Sequence, residues 1–253
     1  MKAGTASRLL VGIFSAMIAI LALMALTGDD EARSILRPMV VAAVLVGGIF
    51  YLTHRYKVAP RRAMFIDQAR RLGLTAVEGD PLDLLGSRFE VVRRRASVRD
   101  VETTATGTWE GHDVAVVDYW YAPTSRLEVD DYVRFVCALL PVPRTWPGLL
   151  VVPERIATLV GDAIGGHEPD TESEAFNRSF AVRTDDRRFT SAVLDGRMIT
   201  WLQELPSHTG FEVRDGRLLC FVARQLDGDV EHALRTGRAF LHRVPGTART
   251  WYG

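Results

Sequence analysis

Cysteine is scarce in this chain: its 253 residues hold two, Cys137 and Cys220, inside the apolar runs FVCALL and LLCFV. Neither has CxxC spacing or an adjacent cation, so a disulfide framework and a thiolate nucleophile are disfavoured and buried, inert thiols are expected. The six histidines, His54, His112, His167, His208, His232 and His242, are scattered with no pair four residues apart. That removes the usual helical zinc pair, and no metal site is expected. GxSxG, HExxH, GxxxxGK[ST] and GxGxxG are absent, and with them the common hydrolase, metalloprotease and nucleotide signatures. The reading is therefore non-enzymatic in its leaning, with no cofactor. Lysine is almost missing too, at two residues against 29 arginines.

Charge of one sign is lacking only in sum. Residues 1–62 carry eight Lys or Arg against three Asp or Glu, and residues 63–253 carry 23 against 28, so +5 faces −5. A mildly acidic domain of about 190 residues is large enough for a core. It is a poor nucleic-acid binder, because phosphate contacts need clustered cations.

What the N-terminus does contain is apolar length. Leu9 to Leu26, LLVGIFSAMIAILALMAL, covers roughly 27 Å as a helix, close to the ~30 Å hydrocarbon core. Pro38 to Leu52, PMVVAAVLVGGIFYL, is shorter and reaches spanning length with Ile35, Leu36 and Thr53. Two spans, about 9–27 and 35–53, make a transmembrane hairpin. Cationic flanks hold both ends in the cytoplasm of a multi-pass plasma-membrane protein. A cleaved signal peptide is the rival reading of the first run. Arg55, Lys57, Arg61 and Arg62 then face anionic headgroups, which makes the lipid bilayer a partner.

Beyond residue 61 the pattern changes. RRAMFIDQARRL has one apolar face and predicts an amphipathic helix closed by Gly73. Asp80-Pro81 reads as the start of a short helical turn ended by Gly86. Val101–Trp109 and Asp113–Tyr121 flank Glu110-Gly111-His112 as a hairpin, and Phe211–Arg214 with Arg217–Ala223 form another around Asp215-Gly216. Asp131–Leu140 and Leu149–Val152 read as further strands. Helices are expected from Pro153 to Ile164 and from Asp186 through Leu205, and one capped by Asp229 runs to Val244. Between them, Glu172–Phe176 reads as a helical turn and Ser179–Arg183 as a strand. The expected architecture is an N-terminal two-helix transmembrane hairpin (1–60), then an α+β domain with a largely antiparallel sheet (61–253).

The densest polar constellation is Glu172, Glu174, Asn177, Arg178, Arg183, Asp185, Asp186, Arg187 and Arg188. Ligand binding there would use Glu174, Asn177, Arg178, Asp185 and Asp186, with carboxylates from a turn and a helix cap gathered around a cation or basic ligand. The structural alternative reads the same residues as caps, a turn and surface ion pairs. Among the tryptophans, Trp120 and Trp201 are expected in the core, and Trp146 and Trp251 at an exposed contact.

From Trp109 to Phe240, the runs GTWEGHDVAVVDYWY, LPVPRTWPGLLVVPERI, ESEAFNRSFAVRTDDRRFTSAVLDGRMITWLQEL and FEVRDGRLLCFVA resemble a group of uncharacterised bacterial two-span membrane proteins. Those proteins have a C-terminal domain of unknown function and are common in high-GC, arginine-rich proteomes. The resemblance implies location and architecture, and no catalytic residue comes with it. The function expected is a membrane-anchored cytoplasmic binding or scaffold module contacting a protein partner or lipid headgroups. A membrane-associated enzyme or ligand sensor using the Glu174–Arg188 cluster is the alternative.

Overall fold

The computed structural model describes residues 60–93, 96, 98–122, 132–160, 173–224 and 230–252, with Val41 alone before them. Two compact units divide at Ala63/Met64, and the second holds the sheet. The described elements begin with a helix over residues 60–71 (α1). Then come β1 (Thr75–Glu78), a 3-10 turn (Leu84–Gly86), α2 (Glu90–Arg93), β2 (Val98–Trp109), β3 (His112–Ala122) and β4 (Val133–Pro141). β5 (Leu149–Pro153), α3 (Glu154–Val160), α4 (Glu174–Ser179), β6 (Phe180–Thr184), α5 (Arg187–Val193) and α6 (Gly196–Glu204) follow. The chain closes with β7 (Thr209–Arg214), β8 (Arg217–Arg224), α7 (Val230–Arg243) and α8 (Gly246–Tyr252).

The strands form one 8-stranded sheet in the order β1-β2-β3-β4-β8-β7-β5-β6, with every neighbouring pair antiparallel. Two tight turns set its register. Glu110 and Gly111 adopt φ 49° and 81°, and Asp215 and Gly216 φ 53° and 75°. Two consecutive left-handed residues give the turn twist that matches paired strands, which is why these sequences close hairpins.

Both faces of the sheet are covered, and this explains the uninterrupted apolar strands. On β4, Val136, Ala138 and Leu140 face one core, packed by α1, α4, α5, α6, α7 and α8. Phe135, Cys137 and Leu139 face the other, packed by the 3-10 turn, α2 and α3. The two cysteines, both free and fully buried, point to opposite faces. Burial pushes both thiols up, away from the reactive range. α7 lies unusually close to the sheet at Gly237, where a Cβ would sit 2.7 Å from a Leu140 methyl and 3.0 Å from the Cys220 Cβ.

The expected transmembrane hairpin needs correction. Among the described residues no helix is long and apolar enough to cross a membrane. α7 has 14 residues, short of the ~20 a span requires, and its polar face carries arginines and histidines. The structure therefore gives no support to the multi-pass membrane placement, nor to a cytoplasmic location inferred from it. Apart from Val41, the runs at 9–27 and 35–53 lie outside the described residues, as do Arg55 and Lys57. Arg61 and Arg62 fall in the first described turn of α1, half-buried. What the structure shows is an antiparallel α+β domain.

Candidate functional site

The described members of the polar constellation legible in the sequence resolve into three separate arrangements; Glu172 lies outside the described residues. Asp186 is the N-cap of α5: its Oδ1 accepts from the amides of Arg188 (2.8 Å) and Phe189 (3.1 Å), and its Oδ2 accepts from the Tyr252 hydroxyl (2.9 Å). The Phe189 amide, then the Tyr252 hydroxyl, hold this carboxyl below the usual range. Glu174 and Arg178 form an exposed i,i+4 pair at 3.5 Å on α4, with side chains 85% and 73% exposed. Asn177 is half-buried on the same helix, its amide donating to the Ser173 carbonyl (3.0 Å). Asp185 leaves this group altogether and accepts from Arg214 at 2.9 Å.

These placements separate in stability. Asp186→Ala is expected to cost roughly 1 kcal/mol, the usual value of a lost cap. Glu174→Ala should fall within about 0.5 kcal/mol of the parent, as exposed pairs do. Urea midpoints of the two variants check both values, and equal losses would contradict the division.

Asp185 is the outer member of an ion-pair hub that the sequence did not disclose. At its centre Glu212, fully buried on β7, accepts from the Glu90 amide at 2.8 and 2.9 Å and from the Val91 amide at 3.4 Å. The Glu90 side chain pairs with Arg183 and, at 3.8 Å, with Arg214. Arg214 Nε stands 3.9 Å from Glu212. Burial pushes the Glu212 carboxyl up to about 8, against the amide bond from Glu90, which favours its ionised form. Beside the hub is a hollow of about 240 Å³ lined by Leu82, Phe89, Arg214, Asp215 and Arg217 among others. Asp215 is itself held by Arg88, whose Nε donates at 2.9 Å.

A second concavity, of about 390 Å³, lies where β4 ends and α7 meets α8. Leu140, Pro141, Val142, Pro143, Trp146 and Leu241 give it an almost wholly carbon surface. His112, Arg238, His242 and Arg249 stand around that surface. The loop after β4 is fixed at three points. The Val142 amide donates to the Gly216 carbonyl (3.0 Å) and the Trp146 amide to the Pro143 carbonyl (3.1 Å). The Thr145 hydroxyl donates to the Tyr252 carbonyl at the end of α8.

The cations are positioned as firmly. Arg238 pairs with Glu110, donates from Nε to His242 Nε2 at 3.2 Å, and lies 5.7 Å from the Trp109 ring. Arg249 donates to the Leu241 carbonyl. Trp146, expected at the surface, is only 7% exposed and packs on Phe189 at 5.6 Å, whereas Trp251 is 53% exposed with Arg188 4.5 Å over its ring. The Trp146 indole N–H is buried and meets no acceptor among the described residues.

Sequence reasoning passed over this groove because PVPRTWPG reads as prolines punctuating a loop. Its one legible signal was a tryptophan between two prolines. Glu212 was missed because FEVR alternates as though one face met water, while α2 covers that face. No family model and no curated protein matches the chain. Among solved structures it is similar to the mycobacterial trehalose monomycolate transport factor A, TtfA, at 13% identity and a TM-score of 0.50, over 72% of this chain and 95% of that one. At that identity the likeness is one of fold.

Proposed function

We propose that the chain is a non-catalytic binding module whose working surface is the groove between the end of β4 and the α7–α8 corner. One observation carries this reading: a carbon-lined concavity of about 390 Å³, within the ~300–1,000 Å³ of small-molecule sites, stands open beside two arginines and two histidines. Arg238, His242 and Arg249 are fixed by bonds to neighbours, so that side of the surface is ready-made for association. TtfA is named a transport factor. By analogy of fold alone, a role in handling another molecule suits this chain better than one in transforming it. A second reading, a ligand sensor at the ion-pair hub, is favoured by the 240 Å³ hollow beside Arg214 and Arg217.

A photo-crosslinking benzoylphenylalanine placed at Val142, or separately at Arg217, separates the two in intact cells. The groove reading expects adducts from position 142 that disappear when Leu241→Glu puts a charge in the floor. Adducts from position 217 with none from 142 would favour the hub instead.

A further inference from the structure

We infer that the groove takes up a single-chain amphiphile with an anionic head, entering as a monomer; this rests on the groove being the binding surface. The floor formed by Leu140, Val142, Trp146 and Leu241 offers almost no polar atoms. A peptide lying on it would leave backbone amides without partners, whereas an alkyl chain asks for none. The sign of the head follows from the rim. Arg238 and Arg249 stand against one carboxylate, Glu110, and that carboxylate is already paired with Arg238.

Arg249 is the better partner for the head. A guanidinium carries five N–H donors, and the bond that fixes it goes to the Leu241 carbonyl, leaving donors directed elsewhere. Phosphate monoester and carboxylate heads share the required chemistry, because both accept charge-assisted bonds from arginine.

The test uses the full chain and a dodecyl phosphate carrying a diazirine on its alkyl chain, held below micelle-forming concentration, with labelled peptides mapped by mass spectrometry. Labelling is expected within residues 140–146 and 238–242. Dodecanoate should compete, and dodecyltrimethylammonium and inorganic phosphate should not. Arg249→Gln, an exposed substitution that leaves the core intact, should weaken labelling by about tenfold, the loss of one charge-assisted bond. Leu241→Glu should abolish it, with circular dichroism confirming the fold.

Label confined to residues 1–59, or equal competition by the cationic amphiphile, would overturn the inference. So would stronger competition by an acidic peptide than by dodecanoate. Groove labelling only by probe presented in phosphatidylcholine vesicles would overturn the monomer route. If position 142 still forms adducts in cells while the probe avoids the groove, this ligand class falls and the binding reading stands.

Discussion

Arg134→Met is expected to destabilise the domain by roughly 3–5 kcal/mol, the cost of removing one partner from a buried ion pair. Arg134 donates from Nη1 to Glu102 at 2.6 Å and to Asp118 at 3.2 Å. The arginine and Glu102 side chains are 13% exposed, and Asp118 is 1% exposed. Methionine fills most of the volume but withdraws the charge that makes these carboxylates tolerable on the core face of β2 and β3. Adding Asp118→Asn and Glu102→Gln to Arg134→Met should recover much of the loss, because neutral groups no longer need the cation. Chemical denaturation of the single and triple variants measures both effects. A single-variant loss under about 1 kcal/mol would mean that water already compensates these acids.

Glu212 gives the second large effect, and its sign is fixed by linkage. Burial pushes the folded carboxyl up to about 8 against an ordinary 4.5. Between those values the folded state keeps a proton that the unfolded chain has shed, so stability falls as pH rises through that window. A difference of this size corresponds to a loss on the order of 5 kcal/mol across the whole window. Burial is the largest cause; the Glu90 amide favours ionisation while the Glu90 carboxylate opposes it, and the Val91 amide and Arg214 favour it less strongly than burial opposes it. Glu212→Gln keeps an oxygen acceptor for the Glu90 and Val91 amides and removes the titration, so its profile should be flat across the window. Urea unfolding of both proteins from pH 5 to pH 9 checks this, and superimposable curves would contradict a proton held at Glu212.

These two clusters show where the sequence is readable and where it is not. Hairpins around Glu110-Gly111 and Asp215-Gly216 were legible because left-handed turns demand particular residues locally. β4 and β8 were legible as strands, but the burial of both their faces depends on helices supplied from distant parts of the chain. β1 was missed, being four residues long and mostly exposed at the sheet edge. The helix read as continuous from Asp186 to Leu205 is broken at Asp195, whose side chain accepts from the Met198 amide at 2.8 Å and starts α6. α8 follows Pro245 and was not foreseen, since its value lies in packing Ala248 and Tyr252 against the rest.

The candidate sites follow the same division. Capping by Asp186 is local chemistry and was among the readings of the sequence. The hub joins Glu90, Arg183, Asp185, Glu212 and Arg214 across three elements and the turn after β6, and no short-range pattern announces it. The groove similarly combines the loop after β4 with two helices about 100 residues later. Apolar length at the N-terminus was the strongest signal in the sequence, and it lies almost wholly outside the described residues, whose organisation is the sheet.

Hydrogen exchange of the full chain, with and without saturating dodecyl phosphate, tests most directly whether the groove is the working surface. Slowed exchange is predicted at the amides of residues 142–146 and 238–249, with Glu174 to Asp186 unchanged. Protection over Glu174 to Asp186 with the groove unaltered would contradict the account.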